Sequence, residues 1–204
     1  SDKVDADVLL NFCKKMEFVS WTPPCKTVLD CRSFSRQLAK MTNHKAMLKN
    51  QLYALNTTFE TPGLVIKIQE KLIKEFEKQI AKLEEATALF IEKDSKIKAY
   101  YDLLISVPGI ARTSAIQILA ELLVLPEDLN NRQWVACAGL DPRKCQSGTS
   151  LNKKARISKA GNRFLRKALY MPALSAARHD PYVKAYYTHL INDNGTTKLQ
   201  AVCA

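Results

Sequence analysis

The chain has 204 residues and a formal net charge of +11, from 31 Lys and Arg against 20 Asp and Glu. An apolar fraction of 47% is enough for a buried core, and six Gly with eight Pro are too few for a fibrous or low-complexity chain. No apolar run reaches the ~18 residues a membrane-crossing helix needs, and no signal-peptide pattern opens the chain. Six cysteines, Cys13, Cys25, Cys31, Cys137, Cys145 and Cys203, show no CxxC spacing. None of His44, His179 and His189 stands four residues from another His or from a Cys, so no transition-metal site is indicated. Free thiols in a reducing cytosol are expected. The chain opens on Ser1-Asp2 and closes on Ala201-Val202-Cys203-Ala204, which reads as a fragment of a longer protein.

Residues 2–18 predict an amphipathic helix through Val4, Val8, Leu9 and Phe12, stopped before Pro23-Pro24. Two periodic segments follow. The first places Phe34, Leu38, Met41, Lys45, Leu48, Leu52, Leu55 and Phe59 at alternating steps of four and three. The second does the same with Ile66, Gln69, Ile73, Phe76, Ile80, Leu83, Thr87 and Phe90. Thr61-Pro62-Gly63 between them is a turn signal. Two matched heptad seams around a tight turn predict an antiparallel coiled-coil hairpin, each arm ~40 Å long at ~1.5 Å per residue. Its arms either pack only on each other or also pair between subunits, which would make a homo-oligomer.

Beyond residue 96 the pattern is apolar helix, Ser106-Val107-Pro108-Gly109-Ile110-Ala111, then apolar helix from Ala115 to Leu125, ended by Pro126. This is helix-hairpin-helix-like, with Ala111 where such motifs usually carry a second Gly. In that motif Gly109 would let backbone N–H groups approach a phosphate; the alternative is a plain packing unit.

A short helix at 131–140, closed by Gly139, leads into a segment rich in turn formers that reads as a loop over 141–158. From Asp141 to Leu169 nine bases face one acid: Arg143, Lys144, Lys153, Lys154, Arg156, Lys159, Arg163, Arg166 and Lys167 against Asp141. A phosphate-backbone footprint accounts for such one-sided charge, and no hydrophobic anchor interleaves the bases to suggest a membrane surface. Ser147 lies within it. By itself a loop serine is a turn residue or a cap. As a nucleophile on a phosphodiester it would need flanking cations, which Lys159, Arg163 and Arg166 would supply. Ser150 is open to the same readings, and Ser158 also reads as a cap for the helix that follows.

Several blocks then carry a resemblance. They are Ala138-Gly139-Leu140-Asp141-Pro142, Gln146-Ser147-Gly148-Thr149-Ser150, Ile157-Ser158-Lys159-Ala160-Gly161-Asn162 and Leu165-Arg166-Lys167-Ala168-Leu169-Tyr170-Met171, flanked by Val107-Pro108-Gly109-Ile110 and Arg178-His179-Asp180-Pro181. In this order and spacing they resemble the C-terminal domain of the DEDD insertion-sequence transposases, the "IS one-ten" group, akin to the pilin-gene invertases. The resemblance covers residues 100–204. It implies a serine recombinase of bacterial cytoplasm and nucleoid, with Ser147 as nucleophile, DNA as substrate and a structured bridge RNA as guide. It also implies a RuvC-like fold whose four carboxylates hold Mg²⁺. Asp2-Lys3-Val4-Asp5-Ala6 resembles that group's last acidic motif, and Asp2 and Asp5 would share one helix face. The other two carboxylates are absent, so a complete metal site is not expected.

The expected fold is mainly α in three parts: a remnant of the RuvC-like domain (1–30), the hairpin (31–98) and a compact helical transposase domain with the basic Ser-bearing loop (99–204). The expected function is DNA cleavage and exchange in transposition. The alternative is a non-catalytic nucleic-acid-binding and assembly module.

Overall fold

The computed structural model describes residues 2–17, 22–147 and 151–203, with backbone alone at 144–147 and 151–155. It is mainly helical, with one two-stranded sheet among the described residues. Helix α1 spans Asp2–Lys15 and buries none of its residues.

Helices α2 (Lys26–Thr57) and α3 (Gly63–Lys93) form the predicted hairpin. Both are longer than the seams alone suggested, about 47 Å at ~1.5 Å per residue. They run antiparallel. The Phe34 and Phe90 rings meet at 5.5 Å, the His44 and Phe76 rings at 6.2 Å, and Lys49 Nζ lies 3.0 Å from Glu77 Oε1. Every seam position is buried or half-buried except Phe59, which stands in the turn at 90% exposure. Polar residues in the seam find partners. Gln69 Nε2 donates to the Leu48 carbonyl at 3.1 Å, and the buried Thr87 hydroxyl donates to the Leu83 carbonyl at 2.6 Å. Satisfied donors of this kind let polar side chains occupy an otherwise apolar seam.

Helix α4 (Ser95–Ile105) starts where Asp94 accepts from the Lys96 and Ile97 amides. Its Ile97 packs with Ile91 of α3 and with Ile116 and Leu119 of α5 (Arg112–Leu122). A second cluster joins Ile118 of α5 to Ala138, Leu165 and Ala168. Those residues belong to α6 (Asn131–Ala138) and α7 (Arg163–His179). The α6 start is a capping box, with Asn130 and Gln133 bonding each other's backbone amides. Helices α8 (Pro181–Asn192) and α9 (Lys198–Val202) close the chain against α7.

The segment read as a loop is instead an antiparallel ribbon. Strand β1 (Pro142–Ser147) pairs with β2 (Leu151–Ile157), from Pro142↔Ile157 at the base to Ser147↔Leu151 at the far end, with an irregularity between Arg143 and Cys145. The turn formers that suggested a loop cluster at Gly148-Thr149-Ser150, which lie outside the described residues.

Candidate nucleic-acid interface

The ribbon rests on a crossing of two chain segments that admits only glycine. Gly139 ends α6 at φ +66°, the left-handed region where a Cβ is penalised. Gly161 passes directly over it. A Cβ on Gly161 would come within 2.3 Å of the Cys137 carbonyl oxygen and 2.4 Å of the Gly139 nitrogen. This closeness allows the backbone bonds that fix the ribbon's exit: Asn162 N to Cys137 O at 2.6 Å, Lys159 N to Gly139 O at 3.0 Å and Ser158 N to Asp141 O at 2.8 Å. Lys159 takes φ +55° to make the turn.

Ser158 therefore serves the ribbon base, donating its hydroxyl to Asp141 Oδ1 at 2.5 Å. The cap of α7 is Asn162, whose Oδ1 accepts from the Phe164 and Leu165 amides. Ser158 lies too early in the chain to cap that helix, so the expectation of a cap there is corrected.

The basic residues divide into groups. Arg143 and Arg156 are exposed and directly opposite each other in the ladder. Like charges directly opposite one another in a ladder repel. Lys159 and Arg163 are exposed, with the Arg163 guanidinium 5.0 Å from the Phe164 ring centre. Arg166 is half-buried, and its Nη1 donates to the Ala138 carbonyl at 2.7 Å. That contact gives it a role in holding α6 to α7. The side chains of Lys144, Lys153 and Lys154 lie outside the described residues, as does that of Ser147, whose backbone ends β1. From Arg143 to Ser147 is four strand residues, ~14 Å along the ribbon.

Gly109 is half-buried in the turn between α4 and α5. At φ +94° it packs on α7, where a Cβ would meet the Pro172 carbonyl oxygen at 2.7 Å and the Ala176 nitrogen at 3.0 Å. The close approach its missing side chain permits is helix against turn. Asp2 and Asp5 stand exposed in the first turn of α1. No group of three His, Cys, Asp or Glu side chains that could hold an ion occurs among the described residues. Two exposed carboxylates do not by themselves make up a Mg²⁺ ligand set.

Two features escaped the sequence reading. The first is Glu121, the one acid in the apolar run of α5, 1% exposed. It accepts from Arg36 Nε at 2.7 Å and Arg36 Nη2 at 3.0 Å, from Arg32 Nε at 3.2 Å and from Asn162 Nδ2 at 2.6 Å. Burial pulls its carboxyl up, but the hydrogen bonds from Arg36 and Asn162 and the charges of both arginines outweigh it and hold the group below the ordinary carboxylate value. One side chain thus ties the hairpin to the cap of α7. The second feature is Arg32, Arg36 and Lys40 at steps of four, a single basic stripe on α2 facing α5 and α7. A lone Glu in an apolar helix and a base at every fourth position were the signals available.

These contacts define a helical base from which a basic two-stranded ribbon projects. Residues 101–188, which contain that base and ribbon, match the profile of the family described as "Transposase IS116/IS110/IS902 family". Over its whole length the chain is also similar to the pilin gene-inverting protein of Moraxella lacunata, at 28% identity over 211 residues, and to that of Moraxella bovis, at 26% over 207 residues. In both alignments the chain spans 62% of the relative's length. No helix among the described residues is long and apolar enough to cross a membrane.

Proposed function

We propose that this chain acts in DNA transposition or inversion as a recombinase, gripping DNA phosphates with the ribbon and breaking a strand with Ser147. The observation that carries the reading is the cross-strand pair Arg143↔Arg156, exposed on a ribbon whose base is fixed by the Gly139–Gly161 crossing. A like-charged pair held face to face is relieved by an anion between or beside the two guanidinium groups, and a phosphodiester suits their planar donors. The matched transposase profile and the gene-inverting relatives favour DNA as that anion.

The serine chemistry follows as part of the same reading. Ser147 Oγ attacks phosphorus, a P–Oγ bond replaces one P–O bond of the strand, and the expelled strand end carries a hydroxyl. At ~14 Å along the strand from Ser147, Arg143 and Arg156 would hold neighbouring phosphates rather than the attacked one. Charge on the transferring group would fall to Lys144, Lys153 and Lys154, which stand nearer to Ser147 along the two strands. A guide RNA belongs to this proposal as a further contribution, and Asp2 and Asp5 would supply two ligands of a Mg²⁺ ion that needs others to complete its shell.

Self-association belongs to it too, and the free end of the hairpin supports it. Leu64, Ile68 and Leu72 recur at steps of four outside the seam and are 70%, 52% and 44% exposed, and Phe59 in the turn is 90% exposed. An apolar stripe of this kind suits a second copy of the hairpin. Ile68→Asp with Leu72→Asp is expected to reduce the sedimenting mass to that of a monomer without lowering helicity. An unchanged mass would remove the hairpin from assembly.

The test of the central reading is Ser147→Ala in the whole protein, scored by strand exchange and by a covalent protein–DNA species on a denaturing gel. Both should vanish while DNA affinity holds. Exchange by the variant would sink the serine assignment. Tight DNA binding by wild type with no covalent species would favour the non-catalytic binding and assembly module.

A further inference from the structure

The charge of the hairpin is unequally divided. Helix α2 carries six Lys and Arg against one acid, Asp30, whereas α3 carries six bases and six acids. The α2 bases nearest the C-terminal helices do not face α3. Arg36 and Lys40 border a groove of about 390 Å³ whose other wall is Arg163, Phe164 and Lys167 of α7, with Glu121 on its floor.

The two walls run side by side. The Arg36 guanidinium lies 4.3 Å from the Phe164 ring centre, and further along both helices Lys167 Nζ donates to Asn43 Oδ1 at 2.7 Å. Glu121 offsets one charge of the Arg32–Arg36 pair. Lys40, Arg163 and Lys167 are left exposed along the groove with no ion-pair partner among the described residues. Folding has brought Lys40 of α2 into one groove with Arg163 and Lys167, 123 and 127 positions further along the sequence. Such a convergence costs repulsion and is relieved by a polyanion lying in the groove.

We propose that the α2–α7 groove is a second phosphate-binding track, in which Lys40, Arg163 and Lys167 hold one backbone strand of the duplex DNA that the ribbon also grips. The proposal rests on the reading of the ribbon as a DNA contact. Arg163 is common to both surfaces: it starts α7 just past the ribbon's exit and opens the groove, so the two contacts are continuous. The rigid joint between them is Glu121, bonded at once to Arg36 in the groove wall and to Asn162 at the ribbon's exit.

The experiment is fluorescence anisotropy of the 204-residue chain with a labelled mixed-sequence DNA duplex across a salt series. Lys40→Gln with Lys167→Gln is compared with Arg143→Gln with Arg156→Gln. Each lost phosphate contact lowers the slope of log affinity against log salt by about 0.9, so the groove variant should lose about two from the slope and about tenfold or more in affinity. A groove variant with wild-type slope beside a weakened ribbon variant overturns the groove and leaves the ribbon reading standing. Wild-type behaviour of both variants overturns both. An RNA duplex of equal length forms the second arm, and a loss confined to RNA overturns the assignment to DNA. Lys40→Gln alone, which removes no hydrogen bond found among the described residues, should lower the slope by about one and keeps the test decisive if the double variant melts early.

Discussion

Replacing Gly161 by alanine is expected to loosen the base of the ribbon and lower stability by about 3 kcal/mol, the upper end of what overpacking usually costs. The reason is the identity of the atoms in the way. The new Cβ would stand 2.3 Å from Cys137 O, 2.4 Å from Gly139 N and 2.5 Å from Ala136 O, all backbone at the end of α6. No side chain can rotate aside. Relief requires the two segments to part, which breaks the 2.6 Å bond from Asn162 N to Cys137 O and the 3.0 Å bond from Lys159 N to Gly139 O. The Arg166 bond to Ala138 O lies at the same crossing and would weaken with them.

Gly63→Ala is the matched control. Gly63 opens α3, and nothing lies within 4 Å of a Cβ built there. Alanine at that site should stabilise by about 0.4–1 kcal/mol, through the smaller entropy of the unfolded chain. Thermal melts of the two variants should therefore move in opposite directions. DNA affinity should fall with Gly161→Ala alone, because only that glycine orients Arg143 and Arg156. A Gly161→Ala protein that melts and binds as wild type would mean the crossing does not hold the ribbon.

The hairpin was legible because its information is local and repeated. Steps of three and four fix which residues share a face, and Leu38, Ile73, Ile80 and Thr87 are buried as that spacing requires. The α6 end at Gly139 was legible for a similar reason, since a glycine after a short periodic run supplies the left-handed residue a helix stop needs. The ribbon was not. Its strands, PRKCQS and LNKKARI, lack apolar alternation, and the base that brings them together is held by the contacts of Gly139 and Gly161, 22 positions apart. The partners of Glu121 were illegible on the same principle: Arg36 and Arg32 stand 85 and 89 positions away, and only tertiary folding makes the three one group. The net basic charge of 141–169 was visible as composition, but its division into exposed guanidinium groups, the helix-binding Arg166 and the α2–α7 groove was not.

Glu121→Gln is expected to destabilise the chain by about 3 kcal/mol at neutral pH, the low end for breaking a buried ion pair. The low end applies because Arg32 and Arg36 keep 30% and 32% of their side-chain surface in water and are not stranded when the carboxylate is lost. Gln retains the size of the side chain, so the loss reports charge and acceptor geometry rather than a cavity. Its amide also points a donor at guanidinium donors. For a chain of this size ~3 kcal/mol corresponds to a fall in melting temperature of ~6–12 °C. The pH dependence identifies the cause. The folded-state pKa of Glu121 is depressed, so its contribution is fully present above the unfolded carboxyl value, ~4.3, and is lost as pH falls through the lower folded value. The gap between wild type and Glu121→Gln should therefore be constant from pH 7 down to about 5 and close below that, as the wild-type carboxyl takes up its proton. Asn162→Ala, which removes one donor and the α7 cap together, should narrow the same gap by leaving the carboxylate less well held. A gap that persists unchanged through acid would show that Glu121 acts by shape alone. The hairpin would then be joined to α7 by packing, with no ionic lock between the groove and the ribbon.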